Sequence, residues 1–570
     1  MKLKMKKAVA LFLATVSALC LFSCGKRGSN IRNEGQSEPE SVDVTKTQLN
    51  VGFYYAGLGK DWIQEAKTLF EEKYKDVPFE ENKMGVQVVL NLDKSGLNGS
   101  NLLTTISAKE DHVFFVENSD LNAFVSGNLV ADITDVVKDT ASEDETVTIE
   151  QKLDDNSKAY YDMGGKYYGL PYYEDFMSIN YNIDLFKAKN YYFAKGKTAE
   201  NFDFDNDDLS GLFIQNPTAE KSTGPDGKPN TSDDGLPATY ADFRALLMWI
   251  SANGDTPMMW CGSYLTYLID FMNGVWADYE GPESFNLNYT MDGVASNLIN
   301  VDKNGNVSYL DPVTIAGNTG YMLQKQEGKY RALEFAKMCV EDSSYYYQDS
   351  FSSGLTHIDA QRRFVKGGTG NYQNVAMLID GNWWEVEATE QFDQDPNASN
   401  SKLKRNFGSM PVPKASPDKI GEKRTLYSVN KSMCFINANT SSTMMPVAKE
   451  FLKFCQSDEV ISIFCRSTNM MRPLKYTLSE ETLSQMSTYG KQMYAIHNDK
   501  NVSIVNDFCK TDATVKNTSL LNAKTWGWSN NKGQVNPFVI FKENADMTPG
   551  EYFNSMYDLY VGSWGAKWIS

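Results

Sequence analysis

An acidic loop in the middle of the chain has the residue types that bind a hard cation. The segment 226–235 reads DGKPNTSDDG and places Asp226, Asn230, Asp233 and Asp234 at close spacing. Calcium takes such oxygen ligands, and glycine permits the sharp turn around the ion. The EF-hand pattern is not met, because no Glu stands at its twelfth position. The loop predicts either a structural calcium site or a solvated acidic turn.

Side chains for catalysis are abundant, but no catalytic motif organises them. The 73 acidic residues could supply the paired carboxylates of a glycosidase. The sequence contains no Gly-x-Ser-x-Gly elbow, no His-Glu-x-x-His and no phosphate-binding glycine loop. Three histidines, distant from one another and from any cysteine, argue against a zinc site. A surface glycan-degrading enzyme therefore stays open only as an alternative function.

One cysteine near the N-terminus is placed for acylation. Four lysines precede an apolar run over 8–22, and the run ends in Leu-Phe-Ser-Cys24. This is the pattern of a secretion signal, and the run is too short for a spanning helix. Its ending resembles the bacterial lipoprotein consensus, in which the thiol is diacylated, for example with palmitate. We predict a signal peptide over 1–23 and an extracytoplasmic membrane anchor at Cys24, since two acyl chains hold a protein stably on a bilayer. An ordinary secreted protein is the alternative.

Composition limits the partners of the remaining chain. Loss of 1–23 removes four lysines and no acids, which moves the formal charge from −18 to −22. Nucleic acids and anionic lipids select for clustered basic residues, so neither is an expected partner. Residues 24–46 are polar and lack aromatics, which predicts a flexible stalk. The six cysteines after Cys24 form no disulfide-type spacing, and we interpret most of them as buried apolar side chains, with bridges left open.

The elements that would position a site alternate between strand and helix. A β-rich run over 49–55 is followed by a glycine loop and an amphipathic helix, and further strands are predicted over 86–90 and 112–116. Such alternation predicts a parallel sheet, whose ligands lie beyond the carboxyl ends of the strands, at 55–59 and 117–120. Downstream we predict a helix capped by Thr239, a buried strand over 375–379, a single helix over 446–464 and a hairpin turn at Asn304-Gly305.

The order of segments resembles the family 1, maltose and oligosaccharide-type, extracellular solute-binding proteins of bacterial ABC transporters. The resemblance rests on the segments 51–70, 132–134, 164–171, 181–186, 237–243, 377–383 and 410–413. It implies an α/β, two-lobed, type II periplasmic-binding-protein-like fold with a hinge. One lobe would comprise 47–174 and about 420–478, and the other about 175–419 and 479–570. Insertions near 187–237 and 280–320 account for the extra length.

The same resemblance implies the function. The chain would be a monomer that captures a mono- or oligosaccharide between its lobes, needs no cofactor and delivers the sugar to a membrane permease. A lipoprotein that binds a non-sugar solute, such as a peptide, is the alternative. The positions that would bind the sugar combine aromatic faces with planar polar groups: Tyr55, Glu117, Asp120, Tyr173, Asp175, Trp260, Tyr264, Trp383, Glu385 and Arg472.

Plain packing is the competing interpretation for each aromatic residue in that set, because most of the 71 aromatics of the chain must be core or ordinary surface. Trp383 lies just past a predicted strand end, which favours cleft lining. If the segment stays extended, its neighbour Trp384 points elsewhere and is structural. For Glu117 and Asp120 the alternative is a helix-terminal or solvated acid, and for Arg472 it is a surface ion pair.

Overall fold

A computed structural model describes residues 41–92, 96–509, 511–522, 526–527, 535–562 and 564–569. The predicted signal peptide, Cys24 and most of the stalk lie outside these residues. Asp43–Ser570 form one unit, and it contains two lobes, each built on its own sheet. Within the described ranges, no helix has the length and apolar character to cross a bilayer.

The first lobe is a five-stranded sheet covered by helices. In spatial order its strands are Val86–Leu92, Thr47–Phe53, Val113–Val116, Met433–Ile436 and Leu170–Pro171. The first three are parallel, as the alternation of strand and helix predicts, whereas Met433–Ile436 returns antiparallel. The helices of this lobe are Asp61–Lys73, Leu102–Ala108, Leu121–Ser126, Thr134–Val137, Ile149–Lys152, Asp155–Tyr161, Met445–Phe454 and Asp458–Thr468.

The last two of these helices correct a prediction. We expected one helix over 446–464, but the structure has two helices, separated by Cys455, Gln456 and Ser457. Ser457 is extended and its side chain accepts a hydrogen bond from the backbone of Val460, so it caps the second helix. The apolar periodicity of the sequence continues through the break between the two helices, so only the capping geometry of Ser457 reveals that break.

The second lobe carries a four-stranded sheet, ordered Phe407–Met410, Met177–Asn182, Val375–Gly381 and Thr256–Trp260. Every residue of Val375–Gly381 is buried, as its apolar run predicts. Around the sheet lie the helices Ile183–Lys189, Tyr240–Ala252, Thr266–Thr290, Glu327–Val340, His357–Lys366 and Trp384–Glu387.

The predicted cap at Thr239 is confirmed and does more than start a helix. Thr239 and Asp242 form a capping box at the start of Tyr240–Ala252. The Asp242 carboxylate also accepts hydrogen bonds from the Thr198 hydroxyl at 2.9 Å and from the backbone of Ala199. The buried carboxylate of Asp242 thus connects the inserted segment to the helix that comes after it.

Further segments pack outside the two sheets. The predicted turn at Asn304-Gly305 joins the paired strands Ile299–Val301 and Val307–Tyr309, which confirms the hairpin. Gly293–Ala295 pairs with Val313–Ile315, and Arg424–Tyr427 pairs with Val502–Val505. The six described cysteines are free and buried, in line with the apolar interpretation. The C-terminal helices are Glu480–Ser484, Thr488–His497, Asp512–Lys516, Thr518–Asn522, Pro537–Glu543, Pro549–Val561 and Trp564–Lys567.

Crossing segments connect the lobes and are tied to each other by hydrogen bonds. The backbone N–H of Tyr173 donates to Ser432 Oγ at 3.2 Å, and Ser432 Oγ donates back to the carbonyl of Tyr173 at 3.1 Å. The N–H of Glu174 donates to the carbonyl of Met471 at 2.9 Å. Three stretches of chain, near 173, 430 and 471, therefore meet in one hinge.

Candidate functional site

The two lobes approach each other at a short turn and a short helix. The 3-10 turn Ala56–Leu58 follows the first strand, and the helix Trp384–Glu387 follows the buried strand of the second lobe. A Cβ atom placed on Gly57 would lie 3.0 Å from Glu387 Oε1 and 3.2 Å from Trp383 Cδ1. A side chain at position 57 would therefore crowd Glu387 and Trp383, and glycine avoids this.

The first-lobe wall consists of hydrogen-bonded polar and aromatic side chains at strand ends. Glu117, which ends the third strand, accepts a hydrogen bond from the Tyr173 hydroxyl. Asn98 donates to the Tyr54 hydroxyl at 2.8 Å and lies 3.4 Å from Glu117 Oε2. Burial, with smaller contributions from Asp175 and Glu387, raises the pKa of Glu117 to about 8. The wall presents a protonated or readily protonated carboxyl beside two phenols.

Aromatic rings form the facing wall in the second lobe. Trp383 is 7% exposed and meets Tyr267 edge to face, with ring centroids 6.0 Å apart. Tyr264 is 51% exposed and stacks on Tyr267 at 6.1 Å. The three rings lead from the closed end of the cleft to solvent. Such a strip offers flat apolar faces to a ligand that also needs polar contacts.

Beneath these rings lies a linked group of carboxylates. The Nε2 of Gln361 donates hydrogen bonds to Asp380 Oδ2 at 3.1 Å and to Glu387 Oε2 at 2.7 Å. A single amide group therefore bridges the two carboxyl groups. Burial and the neighbouring Glu387 raise the pKa of Asp380 to about 8. His357 Nε2 is 3.4 Å from Glu387 Oε1.

A third group of charges lies where the cleft meets the hinge. Burial, Asp507 and Asp175 raise the pKa of Asp270 to about 8, and Lys431 opposes this effect. Lys431 itself pairs with Asp507 at 2.8 Å. A cavity of about 240 Å³ lies here, with Asp120, Lys431 and Asp507 in its wall. The predicted ligand residue Asp120 therefore faces this cavity, while its carboxylate caps the helix Leu121–Ser126.

The structure brings several of the sequence-predicted residues to the cleft. Glu117, Tyr173, Tyr264 and Trp383 line it, as described above. Tyr55 is half-buried and begins the turn that closes against Trp383. Trp384 is fully buried against Phe364, Phe407 and Tyr489, which confirms that one tryptophan of the pair is structural.

Two other predicted ligand residues are corrected to core positions. Trp260 is fully buried and its ring packs against Tyr346, Phe351 and Phe538. Arg472 is neither at the cleft nor on the surface. Its guanidinium is fully buried beside Trp62 and donates to Gln456 Oε1 at 2.8 Å. In the part of the chain that the structure describes, its Nε and Nη1 have no hydrogen-bond partner.

Two predicted carboxylates hold structure together instead of facing the cleft. Asp175 is fully buried and accepts hydrogen bonds from the Ser428 hydroxyl and the backbone of Val429 and Asn430, which fixes the hinge. Burial still raises its pKa to about 6. Glu385 is buried and accepts from Asn469 Nδ2 at 2.9 Å and Ser487 Oγ at 2.6 Å. Burial raises its pKa to about 7.

The acidic loop does not assemble the predicted calcium site. Within the described ranges, no three acidic, histidine or cysteine side chains lie together in a way that could hold a metal ion. Asp233 instead accepts from the backbone of Asp226 at 3.0 Å, and Asp234 accepts from the backbone of Asn230 at 2.8 Å. The loop folds through its own hydrogen bonds, as the solvated-turn alternative describes.

Sequence reasoning missed part of the cleft. The cleft residues that it did not name are Asn98, His357, Gln361, Asp380 and Glu387, with Tyr267 and Asp270 on the long helix. A usable signal existed for two of them: Tyr267 and Asp270 are three residues apart in the helix Thr266–Thr290, which places them as neighbours on its surface. Asn98, Gln361 and His357 carry no such local signal, because only tertiary packing brings them to the site.

Comparisons with known proteins agree with this geometry. A family model described as bacterial extracellular solute-binding protein matches residues 59–461. No curated protein matches the chain. A structure from work on xylan utilization by Caldanaerobius polysaccharolyticus has a TM-score of 0.53 at 14% identity, covering 90% of this chain and 99% of that one.

Two further structures have the same fold. A chitin oligosaccharide binding protein gives a TM-score of 0.53 at 14% identity and covers 91% of this chain and 99% of its own. The maltose-bound MalE3 of T. maritima has a TM-score of 0.52 at 14% identity and covers 90% of this chain and 98% of its own. At this identity the likeness concerns the two-lobed fold alone.

Proposed function

We propose, from the premise that this chain belongs to the bacterial extracellular solute-binding proteins, that its solute is a mono- or oligosaccharide held between the two lobes. Members of this family are the solute receptors of ABC transporters. The observation that carries the sugar assignment is the pairing of a three-ring aromatic strip with recessed carboxyl and amide groups across one cleft.

The chemistry of a sugar matches both walls. A pyranose presents C–H patches that pack on aromatic faces, and hydroxyls that bond to planar polar side chains. Trp383 and Tyr267 offer the faces, and Glu117, Asn98 and Glu387 offer the polar groups. Structures that bind maltose and chitin oligosaccharides share the fold, which supports the same class of ligand.

Titration calorimetry against mono- and oligosaccharides tests this function. We expect saturable binding of at least one sugar and no release of reducing ends from any polysaccharide. Saturable binding of peptides with no sugar binding would overturn the sugar assignment. Sugar release from a polysaccharide would instead establish the enzyme alternative.

Closure would work through the hinge near Tyr173, Asn430 and Met471. A ligand that contacts both walls favours the closed arrangement over the open one, because only there are both sets of contacts made. The closed receptor, acting as a monomer, then presents the sugar to the transmembrane subunits of a permease.

Acylation of Cys24 would keep the receptor beside that permease. We expect the variant Cys24→Ser to move the protein from the membrane fraction to the soluble fraction, because the acyl chains have lost their attachment atom. Cys20→Ser is the matched control, since Cys20 lies inside the predicted signal and should change nothing. Fractionation followed by mass spectrometry of the N-terminal peptide measures both. Membrane retention of Cys24→Ser would contradict the anchor.

A further inference from the structure

A histidine at the end of one helix contacts two of the chain stretches that meet in the hinge. His497 is the last residue of Thr488–His497, and its Nδ1 is 3.0 Å from Glu174 Oε1 and 3.1 Å from Glu174 Oε2. The backbone of Leu474 also hydrogen-bonds to the ring. The side chain of His497 is 9% exposed and that of Glu174 is 12% exposed, so solvent screens this pair weakly. One imidazole therefore joins the chain near 174 to the chain near 474.

The helix that carries His497 is fastened to the second lobe. Near its start, the Tyr489 hydroxyl donates to Asn180 Oδ1 at 2.8 Å. One turn later, Gln492 exchanges two hydrogen bonds with the backbone of Ser409, at 2.7 and 3.1 Å. Asn180 and Ser409 are paired across neighbouring strands of the second-lobe sheet. His497 thus ends a helix whose other end is bonded to that sheet.

The partners of His497 belong to the hinge and to the first lobe. Glu174 lies in the crossing segment, where its N–H donates to the carbonyl of Met471 at 2.9 Å. Leu474 pairs with Leu153 of the first lobe in an isolated β-bridge. The contacts of His497 consequently run from one lobe to the other across the hinge.

The surroundings of His497 favour its protonated form. Burial alone lowers the pKa of His497, but Glu174 and the backbone of Leu474 outweigh burial, and Asp154 adds to their effect. The pKa of His497 therefore lies above the usual range of histidine. The last turn of a helix also favours a cation, because its carbonyl groups point toward that end. Among the described residues, the titratable groups that face His497 are Glu174, Asp154 and Tyr476, whose ring stacks on the imidazole at 4.9 Å.

The bridge exists in an arrangement in which the two lobes meet. A Cβ atom at position 57 of the first lobe would lie 3.0 Å from Glu387 Oε1 of the second. Opening of the cleft moves the second lobe relative to the first, and a contact that spans both lobes opposes this movement. We propose that protonated His497 is a positioning residue of the hinge, which favours the closed arrangement by pairing with Glu174 and releases it when the ring loses its proton. This goes beyond the proposed function, because it concerns the hinge and applies to any solute.

The direction of the pH effect follows from the contacts of His497. Unfolded histidine titrates near about pH 6.5, and folding raises the pKa of His497. The bridge is therefore complete below about pH 6.5 and is lost as pH rises through the folded pKa. Glu117, Asp270 and Asp380 ionise in the same range, so only a comparison of variants at each pH isolates His497.

Small-angle X-ray scattering of the ligand-free protein measures how far the lobes separate. The parent is the Cys24→Ser protein, which lacks the attachment atom for acyl chains, and the variant adds His497→Gln, whose amide is neutral at every pH. At pH 6 we expect the variant to have the larger radius of gyration, and at pH 9 we expect the two radii to coincide. Equal radii at pH 6, or a difference that persists at pH 9, would overturn the proposal. Lys500→Gln is the matched control, because it removes an exposed positive charge near the same helix end and should behave as the parent.

Affinity gives a second measurement. For any sugar that binds in titration calorimetry, His497→Gln should weaken binding about fivefold at pH 6 and leave it within about twofold at pH 9, the lower range of coupling between two sites. An equal loss of affinity at both pH values would assign His497 a structural role and overturn the proposal. Absence of binding for every sugar would overturn the sugar assignment, and scattering would still decide the role of His497.

Two measurements keep the test decisive where His497→Gln fails to fold. Glu174→Gln removes the anion of the bridge and should give the same larger radius at pH 6. Nuclear magnetic resonance of the parent follows the imidazoles directly, since the chain has only three histidines. His497 should titrate at a higher pH than His112, whose pKa is lowered by burial. A midpoint for His497 at or below that of His112 would overturn the proposal.

Discussion

Replacing Trp384 by Ala is expected to lower the free energy of unfolding by about 3 to 5 kcal/mol, the usual cost of deleting a large buried aromatic side chain. Trp384 is fully buried and packs edge to face on Phe407 at 5.1 Å and Tyr489 at 5.6 Å. Trp383→Ala should instead weaken sugar binding by about 1 to 3 kcal/mol, by analogy with stacking of nucleic-acid bases on aromatic rings. Urea unfolding and titration calorimetry measure the two quantities.

The adjacent tryptophans serve as controls for each other. Trp383 packs edge to face on Tyr267 in the cleft wall, so we expect its removal to weaken sugar binding more than it weakens folding. A result in which Trp383→Ala unfolds the protein and keeps full affinity would move the ligand surface elsewhere. Sugar binding that survives Trp384→Ala in the remaining folded fraction would agree with its structural role.

The stability of the unliganded protein should fall as pH rises from about 5 to about 8. Burial raises the pKa of Glu117, Asp270 and Asp380 to about 8, while the unfolded chain releases these protons near pH 4. Between these values the folded state binds more protons, so each rise in pH favours unfolding. The raised pKa of His497, which faces Glu174 at 3.0 Å, acts in the same direction.

Thermal unfolding at pH 5, 6, 7 and 8 measures this slope. Glu117→Gln should flatten it, because a neutral amide replaces the acid whose ionisation is opposed by burial. Glu72→Gln is the matched control, since Glu72 is 70% exposed on the first helix. A melting temperature that rises steadily from pH 5 to pH 8 would contradict the assigned proton states.

Local sequence signals located the elements well. The cap at Thr239 and the hairpin at Asn304-Gly305 depend on neighbouring residues, and each is where the pattern places it. The third strand ends at Val116 as predicted, whereas the first ends at Phe53, two residues earlier than predicted. Trp383, the aromatic residue predicted after the buried strand, lies in the cleft wall beside Tyr267, because the carboxyl end of a strand is where an α/β lobe exposes side chains. Its contact with a ligand stays a prediction.

The prediction that Glu385 binds the ligand is corrected for a definable reason. In an extended chain alternate residues share a face, which would place Glu385 on the same side as Trp383. The segment forms one helical turn instead, so Trp383 shares its face with Glu387, four residues on, and Glu385 points toward Asn469 and Ser487. Because the side chains of a helix repeat every 3.6 residues and those of a strand every two, Glu387 and not Glu385 lies beside Trp383.

Arg472 and Trp260 lay beyond local reasoning. Both follow strands or helices in the manner of ligand residues, yet contacts from distant segments bury them, including Trp62 for Arg472 and Phe538 for Trp260. Burial of this kind is a property of the assembled core and leaves no mark in residue spacing.

Gly57 sets a size limit where the two lobes meet. A Cβ atom at this position would lie 3.0 Å from Glu387 Oε1 and 3.2 Å from Trp383 Cδ1, which is tighter than an ordinary contact. Any residue larger than glycine would therefore have to displace these two side chains, so the fit between the turn of the first lobe and the short helix of the second depends on this single position.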